Sequence, residues 1–142
     1  MGHGWTLMNT DKNSLDLMTE KIIGCAFKVG TGLGSGFLEN CYENALAYEL
    51  RKAGLQVEQQ VRLKVWYDEI VVGEYVADLI VEGSILIELK AIQALDPIHM
   101  AQCINYLVAT KLPLCLLINF GKRVEIKRIA GPSLKQSIDP PS

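Results

Sequence analysis

The sequence has no apolar run long enough to cross a membrane: its longest stretches, such as Ile85 to Ile87 or Leu114 to Ile118, fall far short of the roughly 20 residues a spanning helix needs. The opening residues, Met-Gly-His-Gly-Trp-Thr, lack a basic region followed by an apolar one, so nothing there reads as a secretory signal and cytoplasmic residence is the expectation. Metal-finger spacing is missing too. The four cysteines, Cys25, Cys41, Cys103 and Cys115, are widely separated, form no CxxC pair and have only two histidines as prospective co-ligands, which leaves buried free thiols as their reading. A formal charge of −2 removes the strongly basic footprint of a protein that binds duplex DNA through its whole surface, so any nucleic-acid contact has to be local or supplied by a partner. The glycine-rich run Gly30 to Gly36 has no strand before it and no Gly-Lys-Ser/Thr after it, so it reads as a helix-helix turn rather than a P-loop.

What is present suffices for one domain. The chain has 142 residues, 49% of them apolar, enough to bury a core without disulfides or a structural metal. Polar, aperiodic residues 1–13 and the proline-rich 131–142 read as flexible ends around a domain spanning 14–130. Leu15, Met18, Ile22, Cys25, Ala26 and Val29 recur at three or four residues, which predicts a helix from Ser14 to the glycine run at Gly30. Phe37, Leu38, Cys41, Tyr42, Ala45, Leu46 and Leu50 predict a second helix stopped by Gly54. Alternation from Val61 to Tyr67, a turn at Asp68-Glu69 and a return over Ile70 to Val81 predict a hairpin, with Gly73 marking a bulge. Ile85 to Leu89 is almost wholly apolar, as a strand covered on both faces is. Asp96-Pro97 is a helix entry, the third helix runs to about Thr110, and Leu114–Asn119 and Val124–Ile129 close the set as strands.

Charge in the apolar strands carries the chemical signal. Asp78 stands alone within Tyr75-Val-Ala-Asp-Leu-Ile-Val, where an unpaired carboxylate costs several kcal/mol. Glu88 and Lys90 share one face of the next strand because side chains alternate with period two. A hairpin with the odd-length loop Glu82-Gly83-Ser84 sets Asp78 opposite Glu88; a two-residue loop shifts the register by one and parts them. Two adjacent carboxylates repel unless a cation holds them, and hard oxygen ligands favour Mg²⁺ or Mn²⁺. A buried Asp, Glu and Lys network that merely orders strand ends is the structural alternative.

Asp78, then a gap of nine residues, then Glu88-Leu89-Lys90 resembles the signature of the PD-(D/E)XK nuclease superfamily, and Gly36-Phe-Leu-Glu39-Asn-Cys-Tyr42 resembles the motif of the GxxExxY protein family within it. The likeness extends over Tyr75-Val-Ala-Asp-Leu, Ile87-Glu-Leu-Lys-Ala, Ala101-Gln-Cys-Ile-Asn-Tyr-Leu and Leu116-Leu-Ile-Asn-Phe-Gly, with Gly30 and Ser35 standing where that family usually has histidine and proline. The resemblance implies an α/β, restriction-endonuclease-like fold, a mixed central sheet flanked by helices. It implies that Asp78, Glu88, the Leu89 carbonyl and Glu39 hold the metal, that Lys90 positions the attacking water or stabilises developing charge, and that Gln102 completes the catalytic set. Tyr42, Gln60 and Tyr106 are the candidates for substrate contact, although an aromatic at Tyr42's helical spacing is usually core.

The expected activity is Mg²⁺-dependent phosphodiester cleavage in nucleic acid, with DNA favoured, and a homodimer is plausible because cutting both strands of a duplex needs two sites. Two rivals stand beside it: a binding or assembly module on the same fold without turnover, and a hydrolase of small nucleotide phosphate esters.

Overall fold

A computed structural model describes residues 12–134. Its elements run α1 (Lys12–Leu33), α2 (Glu39–Lys52), β1 (Val57–Tyr67), β2 (Ile70–Val81), β3 (Ile85–Lys90), α3 (Pro97–Thr110), β4 (Leu114–Phe120) and β5 (Val124–Ala130). The strands form one five-stranded sheet in chain order. All neighbours are antiparallel except β3 and β4, which are parallel because α3 crosses between them. The element order is the expected one.

Two boundaries differ from expectation for identifiable reasons. Helix α1 continues through Gly30 instead of ending there, since that glycine lets the helix lie against β5: a Cβ added at Gly30 would meet Val124 Cγ2 at 2.3 Å. Strand β1 begins at Val57 rather than Val61, its early residues Val57 and Gln59 pairing with Val81 and Leu79. Gly131 N–H donates to the Pro113 carbonyl at 2.8 Å and Leu134 is buried in the core; the remainder of both predicted ends, 1–11 and 135–142, lies outside the described residues. The bulge anticipated at Gly73 is present, where the β1–β2 register slips between Val65 and Trp66.

The sheet is covered on both sides. Leu79, Val81, Ile85, Ile87, Leu89, Leu114, Leu116 and Ile118 pack with α1 and α2, through Leu15, Ile22, Ala26, Tyr42, Leu46 and Leu50. Leu86, Cys115 and Leu117 on the other face pack with Cys103 and Leu107 of α3. Strand β4, buried along its whole length, is accordingly apolar at almost every position.

The hairpin changes faces part-way along. Leu79 and Val81 belong to the α1–α2 side, whereas Tyr75 and Ala77, of the same parity, pack with the α3 side. Val57 and Val61 divide in the same way. Period-two alternation would keep each set together. The switch therefore falls at Asp78 on β2 and at Gln60 on β1, and Gln60 carries a left-handed backbone, φ 52°, uncommon for a non-glycine residue.

Candidate active site

The β2–β3 hairpin turns on Glu82 and Gly83, with φ of 52° and 62°, and Ser84 N–H closes onto the Val81 carbonyl at 3.0 Å. Val81 pairs with Ile85 and Leu79 with Ile87, the odd-loop register that sets Asp78 across from Glu88. The backbone ladder stops at Leu79 and Ile87. Beyond it, each acidic side chain bonds to the other strand's backbone. Leu89 N–H donates to Asp78 Oδ2 at 2.8 Å, and Asp78 N–H donates to Glu88 Oε2 at 3.3 Å. The carboxylates thus hold open a fork in the sheet while satisfying backbone donors that would otherwise be orphaned.

Three further groups converge on the fork. Tyr75 on β2 donates its hydroxyl to Glu88 Oε2 at 3.0 Å, and its ring stacks on Tyr106 of α3 with centroids 3.5 Å apart. Gln60 on β1 spans two acids, its amide donating to Glu43 Oε1 of α2 at 2.5 Å and to Asp78 Oδ1 at 3.4 Å. Glu43 Oε2 accepts from Gln59 at 2.8 Å. Lys90 ends β3 half-buried, its charge felt by both Asp78 and Glu88, and among the described residues it forms no ion pair.

Electrostatics follow from burial. Glu88 is pushed up to about 7, first by desolvation and then by the charge of Asp78, against the pull of the Asp78 N–H, the Tyr75 hydroxyl and Lys90. Asp78 is raised by desolvation and by Glu43, against the Leu89 N–H. The Tyr75 hydroxyl is raised far above its ordinary value by burial and the Glu88 charge, so it stays protonated and can only donate to that carboxylate. Negative charge exceeds what Lys90 balances. Such a site gains stability from a cation.

A family model described as the PD-(D/E)XK nuclease superfamily matches residues 16–129. The chain belongs to the PD-(D/E)XK nuclease superfamily. Among curated proteins and among solved structures there is no significant match.

Of the residues singled out in the sequence, Asp78, Glu88 and Lys90 meet at the fork, and Gln60 reaches Asp78. Tyr106 arrives through its stack on Tyr75. Leu89 contributes its N–H to Asp78. Gln102 is exposed on α3, one turn before Tyr106, without a described contact to the fork.

The structure does not bring Glu39 and Tyr42 to the fork. Glu39 is exposed at the first position of α2, and no described polar contact joins it to Asp78, Glu88 or Lys90; the α2 carboxylate that is joined, through Gln60, is Glu43, one turn further on. Tyr42, a candidate for substrate contact, is fully buried. It stacks on Phe120 at 4.6 Å, donates to the Gly34 carbonyl at 2.6 Å and accepts from Phe37 N–H at 3.2 Å, so its hydroxyl pins the glycine turn between α1 and α2.

Glu43 and Tyr75 are the residues the sequence reading missed. Glu43 had a signal: it falls in the helical stripe of Tyr42, Leu46, Ala47 and Leu50, where a carboxylate is out of place unless partnered.

Among the described residues no group of three or more His, Cys, Asp or Glu side chains is arranged to hold a metal ion. The donor chemistry nevertheless fits Mg²⁺ or Mn²⁺, which take hard oxygens and commonly bind through one or two carboxylates, completed by water and substrate phosphate. Asp78 and Glu88 are the residues that would hold it; among the described residues Glu88 Oε1 accepts no hydrogen bond, and Asp78 Oδ1 accepts the long bond from Gln60.

Proposed function

We propose that the chain is a Mg²⁺- or Mn²⁺-dependent phosphodiesterase acting on nucleic acid, DNA in the first instance, and that it is a GxxExxY-type branch of its superfamily. The observation that carries this reading is the fork itself. Two desolvated carboxylates face each other at the end of an otherwise apolar strand, beside a lysine that forms no ion pair among the described residues, an arrangement that costs stability and that a bound cation would relieve. A bound dication supplies Lewis-acid polarisation of the phosphodiester and a water of lowered pKa.

The chain's own residues divide the remaining work. Asp78 and Glu88 supply oxygen ligands. Lys90, free of a carboxylate partner, is available to orient the attacking water or to stabilise the charge that develops on phosphorus oxygens. Tyr75 and Gln60 are positioning residues, holding Glu88 and Asp78 by hydrogen bonds. Glu43 replaces Glu39 as the α2 contribution. A two-fold dimer would let one copy address each strand of a duplex.

The test is a substrate panel: single- and double-stranded DNA and RNA, and small nucleotide diesters, each with Mg²⁺, Mn²⁺ or chelator, beside light scattering at micromolar concentration. Metal-dependent cleavage of polymer supports the reading. Cleavage of the small esters alone, or binding without turnover, overturns it, and a monomer that cuts duplex overturns the dimer.

A further inference from the structure

A second polar feature lies on the same edge of the sheet. Strands β3 and β4 are parallel, so their C-terminal ends coincide, with Lys90 beside Asn119. Beyond Asn119 and Phe120, the β4–β5 turn presents Lys122 and Arg123, both exposed. These two cations border a cavity of about 200 Å³ whose other walls include Thr31, Gly34, Ser35 and Phe120.

Among the described residues no acidic side chain lines the cavity, and neither Lys122 nor Arg123 takes part in an ion pair. The wall opposite them is tied together by Tyr42. Tyr42 holds Gly34 through its hydroxyl and backs Phe120 with its ring, and the next residue of α2, Glu43, belongs to the fork. The Asn119 side chain brackets Ile92 with two 3.0 Å hydrogen bonds, tying the chain that leaves Lys90 to the strand that leads into the turn.

We infer that the Lys122–Arg123 cavity is a phosphate subsite, which takes a backbone phosphodiester of the nucleic-acid strand away from the one being cut. The inference rests on the proposed nuclease reading for its substrate and extends it to how a chain of net charge −2 gains a grip on a polyanion. Two unpaired cations beside two side-chain hydroxyls, those of Thr31 and Ser35, suit a phosphate; an apolar or cationic ligand gains nothing from them. The cavity lies at the same end of β3 and β4 as Lys90, where a nucleic-acid strand could run along the sheet edge from the fork to the turn. The competing role for the cations is neutralising the carbonyl end of α1, which would make them stabilisers of the helix.

The experiment compares the full-length protein with its Lys122→Ala/Arg123→Ala variant, and with Lys122→Arg/Arg123→Lys as the charge-preserving control. Binding of fluorescent single- and double-stranded oligonucleotides is followed by anisotropy between 50 and 300 mM salt, in chelator so that nothing is cut, with inorganic phosphate as competitor and with melting temperatures recorded. The alanine pair should lose about tenfold or more in affinity at low salt. Its log-log salt slope should shrink by one to two, at close to one per lost phosphate contact, with melting unchanged and the control near wild type. Unchanged affinity and slope overturn the subsite, as does a fall in melting with an unchanged slope, which returns the two cations to α1. Competition by millimolar inorganic phosphate as effective as that of oligonucleotide overturns the assignment to a polymer strand. The two readings fail separately: cleavage that ignores the alanine pair sinks the subsite alone, whereas salt-sensitive binding without turnover sinks the nuclease alone.

Discussion

Glu88 has the most displaced equilibrium in the fork, held near 7 by burial and by Asp78. Its hydrogen bond from Tyr75 favours the ionised form, so Tyr75→Phe should raise the Glu88 value further while leaving the ring stack on Tyr106 in place. The acid limb of a pH–rate profile is then expected to move upward, with activity recovering at alkaline pH; a profile that falls uniformly at every pH would deny Tyr75 this role. Asp78→Asn removes a repelling charge and keeps an oxygen to accept from Leu89 N–H. The metal-free variant should melt no earlier than wild type, yet lose metal-dependent cleavage by two orders of magnitude or more, because an amide is a poorer ligand for a hard dication. Much of this was legible from residues alone. An aspartate stranded in an apolar strand, and a glutamate and lysine two apart on the next, are visible without coordinates. Tyr75 was not, since an aromatic in such a strand reads as core and only its hydroxyl's partner tells otherwise.

At the level of elements, the site depends on how closely α1 and α2 approach the sheet. Gly30 sits where a methyl would strike the stiff, branched Val124, so Gly30→Ala should destabilise by about 1–3 kcal/mol in urea unfolding despite alanine's better helix propensity. A neutral or stabilising result would mean that α1 does not depend on this close approach to β5. The glycine-rich run reads as a helix stop, and part of it is instead a contact surface inside a helix; composition does not separate those two uses of glycine. Helix α2 teaches the converse. Periodicity found Tyr42, Leu46 and Leu50 of its buried stripe, but Phe37 and Leu38 precede the helix and are exposed, as is Cys41 on it, and the stripe also contains Glu43. The face switch at Asp78 and Gln60 had no signal, because the left-handed backbone at Gln60 is imposed by its setting and not by its residue type.

For the whole molecule, the raised Glu88 equilibrium is a stability statement. Between about 4.5, the ordinary glutamate value, and about 7, the folded protein keeps a proton that the unfolded chain has released, so stability falls as pH rises through that window. The loss amounts to at most about 3 kcal/mol, at roughly 1.4 kcal/mol per unit, and Glu88→Gln should flatten it. Melting of the metal-free protein at pH 5 and pH 7.5 measures this, and equal values would contradict the burial of a charged Glu88. A bound dication favours the ionised pair and should restore stability at the higher pH. The central claim, that the fork is a metal-dependent cleavage site, is tested most directly by Lys90→Ala, followed through both Mg²⁺-dependent melting and cleavage of DNA. Removing the lysine leaves both carboxylate ligands, so Mg²⁺ should still raise the melting temperature by at least as much as in wild type, while cleavage falls at least a hundredfold. A variant that cleaves like wild type, or a wild type whose melting ignores Mg²⁺, would contradict the claim.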